Sequence, residues 1–208
     1  MLFRSSAGKK LIVLDRPNPL SGDLQKSEGP MLDEKNCASF IGRWNIPVRH
    51  SCTFGELALY FKATHVPGLD LEIIKVQHWN RQQTVGQSGW FFVPTSPAIR
   101  DSHTIGLYPA TCFLEGVNVN EGRGTPDDFK ICGAPWIDAV KLTELFNEQG
   151  FDGITATPIS YTPDWGLYTG EYCQGMRFTV TDEGLFRPVQ TGLGLLQILK
   201  KLYPAELK

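Results

Sequence analysis

The sequence predicts a mixed α/β fold, and three stretches carry that expectation. An uninterrupted apolar run, Leu11-Ile12-Val13-Leu14, breaks at Asp15-Arg16-Pro17-Asn18-Pro19, the pattern of a strand buried on both faces. A capping box at Thr53-Phe54-Gly55-Glu56 opens a helix that Leu57, Tyr60 and Phe61 continue, and a short β-branched run, Leu71 to Val76, follows it. Farther on, Met176, Phe178 and Val180 alternate with Arg177, Thr179 and Thr181 in the two-residue period of a half-buried strand.

Taken in order, the first strand is reached after only about ten residues, too few for a crossover and a partner strand, so the first domain reads as one that lacks its beginning. Polar residues follow the C-terminal end of that strand. In open α/β sheets ligands bind at that end, which makes Asp15 to Asn18 a candidate site wall; a proline-rich turn is the plainer reading. The helix from Thr53 ends near Pro67-Gly68, and Leu71 to Val76 completes a strand–helix–strand segment. From Arg81 to Gly89 the composition turns to Gln, Thr, Gly and Ser, which places a domain junction there and divides the chain into residues 1–85 and 86–208. Residues 90–125 read as a long irregular stretch of the kind that carries function. A helix is expected from Trp136 to Gln149, stopped by Gly150, and another from about Phe186 to Tyr203. Val189, Leu193, Leu196, Leu199 and Tyr203 form its apolar stripe, with Gly192 and Gly194 each costing about 1 kcal/mol relative to Ala.

Composition excludes several function classes. The chain has 208 residues with 20 basic and 22 acidic side chains, a net charge of −2, so it lacks the basic footprint that nucleic acid requires. Cys37, Cys52, Cys112, Cys132 and Cys173 form no CxxC pair, which points to buried free thiols rather than a zinc ribbon or a disulfide framework. His65, His78 and His103 lack partners at ligand spacing, and no metal site is expected. No apolar run approaches the roughly 20 residues of a transmembrane segment, and no secretory signal is evident, so the chain as written is expected in the cytoplasm.

The densest polar cluster runs from Glu115 to Thr125, where glycines at 116, 122 and 124 free the backbone to bring side chains together. Glycoside hydrolysis needs paired carboxyl groups, about 5–5.5 Å apart for retention or 6.5–9.5 Å for inversion. Glu115 and Glu121 supply such a pair if the loop bends; on an extended strand they would lie nearly 20 Å apart at about 3.3 Å per residue. The competing reading pairs Glu115 with Arg123 to brace the loop, and Arg123 itself suits either that ion pair or a bidentate grip on a ligand carboxylate. No phosphate-binding glycine motif accompanies these glycines. Ser96-Pro97 beside Arg100-Asp101 lacks the GxSxG elbow of a serine hydrolase. His50 reads as a ligand contact or as a histidine that hydrogen-bonds a turn, and Glu56 as the structural N3 member of the capping box. Trp44, Trp79, Trp90, Trp136 and Trp165 could stack on sugar faces, although aromatic residues more often serve the core; positions 90 and 136, flanked by polar loops, are the better candidates for stacking.

An ordered set of phrases carries a family resemblance: Leu14-Asp15-Arg16-Pro17-Asn18-Pro19, Glu28-Gly29-Pro30, Pro47-Val48-Arg49-His50, Thr53 to Ala58, Ser96-Pro97, Tyr108-Pro109, Glu115-Gly116-Val117-Asn118, Gly122 to Thr125, Gly133 to Trp136 and Tyr203-Pro204. Together they resemble the exo-β-N-acetylmuramidases, long grouped as a domain of unknown function. The resemblance implies a partial Rossmann-like N-terminal domain, a smaller C-terminal α/β (α+β) domain, and a sugar held between them. It implies hydrolysis of terminal N-acetylmuramic acid from peptidoglycan fragments such as MurNAc–GlcNAc, with no metal or organic cofactor, by proteins that are often periplasmic or extracellular. Arg16 and Arg123 are then the residues to read the lactyl carboxylate, with Asp15, Asn18, His50, Asn118, Glu121 and Thr125 as further substrate contacts and Glu115 as the catalytic carboxylate. Family members begin well upstream, with a Gly-Pro-Glu-His-Gly segment carrying the favoured catalytic glutamate. That segment does not occur here, and Ser51-Cys52 and Ala98 replace common Gly-Met and Asn residues. A sugar-binding fragment without catalysis is the alternative expectation.

Overall fold

The computed structural model describes residues 1–84, 86–89 and 91–208, so Val85, where the expected junction falls, and Trp90, an expected sugar-stacking residue, lie outside the described residues. The elements in chain order are α1 (Leu2–Ser6), β1 (Leu11–Leu14), β2 (Glu28–Met31), β3 (Pro47–Arg49), α2 (Phe54–Thr64), β4 (Leu71–Ile74), α3 (Ser102–Thr111), β5 (Ile131–Ala134), α4 (Ala139–Glu148), β6 (Ile154–Tyr161), β7 (Cys173–Val180) and α5 (Pro188–Leu202). They divide into two compact units. The first comprises Met1–Ser27 and Arg49–Phe92; the second comprises Glu28–Val48 and Val93–Lys208. The mixed α/β content is the fold class expected.

In the first unit β1 and β4 pair in parallel, Leu11 against Leu71 through Leu14 against Ile74. The capping box forms as expected. Thr53 Oγ1 accepts from the Glu56 N–H (3.1 Å) and Glu56 Oε2 accepts from the Thr53 N–H (2.9 Å), which satisfies two donors that the start of a helix otherwise leaves open. Glu56 also pairs with Arg81, so its structural reading holds. Val13, Ala58, Val66 and Leu69 form the buried apolar centre. The expectation that β1 is buried on both faces is corrected: the pleat sends Ile12 and Leu14 away from Val13, and they stand 55% and 71% exposed.

In the second unit an antiparallel sheet of order β5-β7-β6 packs against α4, α4 meets α5, and α5 packs on α3. Its core gathers Leu107, Leu114, Leu142, Phe146, Met176, Phe178, Leu195 and Leu199. β7 is the central strand and alternates as the sequence predicts. β6 escapes the sequence reading because Pro158 interrupts it, and its place on the edge is what lets the sheet tolerate a residue that cannot donate. The stretch expected to be irregular contains α3, followed by a 3₁₀ turn at Cys112–Gly116. Its apolar residues do not repeat on one face, and Pro109 removes an interior N–H. Asp101, accepting from the Thr104 N–H (2.7 Å), and the burial of Ile105, Leu107 and Ala110 offset that loss.

Two other helices shift from expectation. α4 begins at Ala139 because Asp138 is its N-cap, accepting from the N–H groups of Val140 and Lys141. α5 turns Val189, Thr191, Gly192, Leu195, Ile198 and Leu199 inward, whereas Leu193 is exposed. Gly192 is a packing requirement: a Cβ there would lie 2.2 Å from the Ala110 carbonyl oxygen, so glycine is what lets α3 and α5 approach. The five cysteines are free, but only Cys132 and Cys173 are buried and Cys37 is exposed, which corrects the reading of most as core thiols.

Candidate functional site

Expected site residues gather in two groups, one in each unit. In the first unit, Asp15 closes β1 and meets the start of α2. Its Oδ1 accepts from the N–H groups of Gly55 (2.7 Å) and Arg16 (2.9 Å), and its Oδ2 accepts from the Thr53 hydroxyl (3.2 Å). A helix N-terminus favours a carboxylate, and Gly55 permits the approach because a Cβ there would lie 2.9 Å from Asp15 Cγ. Asn18 Oδ1 accepts from the Leu20 N–H (2.9 Å), and its Nδ2 donates to the Cys52 carbonyl (3.4 Å). Both side chains therefore shape the turn at the end of β1.

His50 lies in the segment between β3 and α2, which Asn18 meets at the Cys52 carbonyl. Its Nδ1 accepts from the Cys52 N–H (3.1 Å), which places the proton of the neutral ring on Nε2 as a donor. Burial pushes the imidazole pKa down, so the neutral form is favoured. Between them Ser51 adopts φ +52° and is fully buried. Arg16 differs from its neighbours. It is exposed, its guanidinium lies 5.6 Å from the Phe54 ring centroid, and no carboxylate pairs with it among the described residues.

In the second unit Asn120 organises the glycine-rich loop. It is fully buried, and its Nδ2 donates to the carbonyls of Arg123 and Leu167 (both 3.1 Å) while its Oδ1 accepts from the Gly122 N–H (2.8 Å) and the Tyr161 hydroxyl (2.9 Å). The loop bends around this amide and brings the two carboxylates together on one guanidinium. Arg123 Nη2 donates to Glu115 Oε1 (2.6 Å) and Arg123 Nε to Glu121 Oε1 (2.6 Å), with the guanidinium 5.2 Å from the Phe129 ring centroid. Glu115 is solvent-facing. Glu121 is buried, and that burial pushes its pKa up against the opposing pull of Arg123. The bracing geometry weighed for Glu115 is present.

The other expected contacts of this loop are engaged within the fold. Asn118 Nδ2 donates to the Glu206 carbonyl (2.8 Å), and its Oδ1 accepts from the Lys208 N–H (2.6 Å). Thr125 donates to the Gly122 carbonyl (2.7 Å) and accepts from the Asp127 N–H (3.0 Å). Trp136 gives its indole N–H to the Tyr168 hydroxyl (3.0 Å) and meets Tyr203 edge-on, the core role that is the commoner of the two readings for a tryptophan.

Sequence reasoning missed the ion pairs beside this loop. Asp128, 2% exposed, pairs with Arg100 (2.7 Å), Asp101 with Lys130 (2.9 Å) and Asp127 with Arg177 (2.7 Å). The opposite charges of Arg100-Asp101 and of Asp127-Asp128-Lys130 were the available signal. Burial pushes the Asp128 pKa up, although Arg100 pulls against it. Among the described residues no cluster of His, Cys, Asp or Glu is arranged to hold a metal ion, and no helix is long and apolar enough to cross a membrane.

Comparison with known proteins accords with these features. The family described as exo-β-N-acetylmuramidase NamZ, N-terminal, matches residues 1–103, and its C-terminal counterpart matches residues 106–208. The peptidoglycan β-N-acetylmuramidase NamZ of Bacillus subtilis (strain 168) is 38% identical over 199 residues, which is 96% of this chain and 47% of that protein. The chain thus spans about half the length of the curated relative it matches. Two crystal structures of DUF1343 family proteins from Bacteroides fragilis NCTC 9343 resemble it. One has a TM-score of 0.91 at 28% identity, covering 99% of this chain and 54% of that one; the other has 0.66 at 27%, covering 84% and 45%. The two family matches leave only Thr104 and Ile105 unassigned, and the chain belongs to the exo-β-N-acetylmuramidase NamZ family.

Proposed function

We propose that this chain contributes the recognition of terminal N-acetylmuramic acid to a peptidoglycan exo-β-N-acetylmuramidase. The observation that carries the reading is the environment of Arg16, an exposed guanidinium with no acidic partner among the described residues, in a turn held in place by Asp15 and Asn18, whose Nδ2 meets the segment that carries His50. Muramic acid differs from glucosamine by a lactyl carboxylate, and a guanidinium fork matches a carboxylate in two parallel hydrogen bonds. Arg123 is the weaker candidate for that contact, because Glu115 and Glu121 already occupy it. His50 supplies an Nε2–H donor suited to an acetamido carbonyl or a hydroxyl oxygen.

For hydrolysis, Glu115 is the solvent-facing carboxylate and Glu121 the buried one. A proton donor to a glycosidic oxygen has to be held protonated until it acts, and burial is how proteins achieve that. One observation favours the second reading, binding without cleavage: each of the two glutamates spends an oxygen on Arg123. Release of N-acetylmuramic acid from a MurNAc–GlcNAc disaccharide tests the choice. Release by the chain that falls at least about a hundredfold in Glu115→Gln assigns the chemistry to this loop. Binding of the disaccharide with no release leaves recognition as the function of this polypeptide, and no binding sinks both readings.

A further inference from the structure

The loop joining β6 to β7, residues 162–172, presents aromatic surface to solvent, with Trp165 52% and Tyr172 63% exposed. The loop is tightly held. The Asp164 N–H donates to the Gly124 carbonyl (2.9 Å), the Gly170 N–H to Pro163 (2.9 Å), the Glu171 N–H to Tyr168 (3.0 Å), and the Tyr168 hydroxyl to the Asn118 carbonyl (2.9 Å). The first ties the loop to the residue after Arg123 and the last to Asn118, while the other two are internal to it. Gly124, at φ +84°, exists to allow that contact, since a Cβ there would lie 2.3 Å from the Trp165 carbonyl oxygen. The position of a Cβ on Gly166 would lie 3.9 Å from Arg123 Cβ. The Trp165–Gly166 backbone therefore sits beside that of Arg123 and Gly124, and the side chains of the Glu115–Arg123 ion pair are about one-third exposed.

We infer that Trp165 is a stacking platform for a pyranose ring, in a glycan subsite that continues onto the outward edges of Glu115 and Arg123. A pyranose has an apolar C–H face for an indole and a rim of hydroxyl groups for a carboxylate and a guanidinium; the exposed Trp165 supplies the first, and the partly exposed Glu115 and Arg123, whose chain the loop backbone meets, supply the second. Holding the aromatic on a hydrogen-bonded loop lowers the entropy lost on binding. A protein partner fits less well: a specific interface buries about 1,200–2,000 Å², far more than one short loop presents. The inference rests on the peptidoglycan reading above and extends it to a second place on the chain.

The test is calorimetric titration of the full chain with a tetrasaccharide of alternating N-acetylglucosamine and N-acetylmuramic acid, beside Trp165→Ala and Trp165→Phe, with thermal unfolding to show that each variant is folded. Binding weakened about tenfold or more in Trp165→Ala and largely kept in Trp165→Phe is the expected result. Equal affinity in the wild type and a folded Trp165→Ala overturns the platform while leaving sugar recognition intact. A wild type that binds no tetrasaccharide overturns both. Self-association of the chain that Trp165→Ala abolishes assigns the loop to a second copy instead.

Discussion

Asp15 spends both carboxylate oxygens on the first turn of α2 and its surroundings, and Arg16, one residue on, is the charge that remains facing solvent. This division of labour between adjacent residues is invisible in the phrase Asp15-Arg16-Pro17-Asn18, where both look like ligand contacts. His50 shows the same dependence on local hydrogen bonds. With Nδ1 accepting from Cys52 N–H, protonating the ring would put a donor against a donor, and burial adds to the cost. The folded-state pKa is thus below the ordinary 6.5. Because the folded protein binds this proton less readily than the unfolded chain, the stability it contributes is present above about 6.5 and is lost as pH falls from there through the folded pKa. Nitrogen-resolved NMR of the imidazole is expected to report an Nε2–H tautomer at pH 7 and a midpoint below 6.5. A doubly protonated ring at pH 7 would refute the Nε2–H tautomer on which the proposed ligand contact depends.

At the scale of elements, Asp101 is the joint between the polar loop before α3 and the body of the second unit. It caps α3 and also pairs with Lys130. Burial pushes its carboxyl up, but the Lys130 ammonium and the Thr104 N–H outweigh that and bring it down to about 2. A carboxyl lowered in the folded state stabilises above its unfolded pKa, near 3.8, and that stabilisation disappears as pH falls toward 2. Asp101→Ala is therefore expected to cost about 1 kcal/mol in urea unfolding at pH 7, with the difference from wild type narrowing as pH falls from 3.8 through about 2. A difference that stays constant over that interval would mean that the loss is one of packing. Elements were legible where their stabilising contacts are local: the Thr53–Glu56 capping box spans three residues and appears where the sequence places it. α3 was not legible, because its apolar residues are ordered by distant partners such as α5 rather than by their own spacing. The same is true of β6, whose Pro158 argues against a strand until the sheet order puts it on an edge.

Across the whole molecule, family and fold class were open to the sequence because they rest on many short phrases in a fixed order, each preserved by its own local need for a turn, a cap or a glycine. The candidate site was legible only as a set of residue types. Glu115 and Glu121 are six positions apart, and whether they meet depends on Asn120, whose amide is oriented by Tyr161 and Leu167 far along the chain. Trp165 was likewise one tryptophan among five until the approach of Gly124 put it beside Arg123. At this scale the proposed function is that this polypeptide distinguishes muramic acid from glucosamine by charge, through Arg16. The most direct test is calorimetric binding of N-acetylmuramic acid and of N-acetylglucosamine to the chain and to Arg16→Ala. The account predicts preference for the lactyl-bearing sugar, lost by about tenfold or more in Arg16→Ala, while any N-acetylglucosamine binding is unchanged. Equal affinity for the two sugars, or a muramic acid affinity indifferent to Arg16, would contradict it.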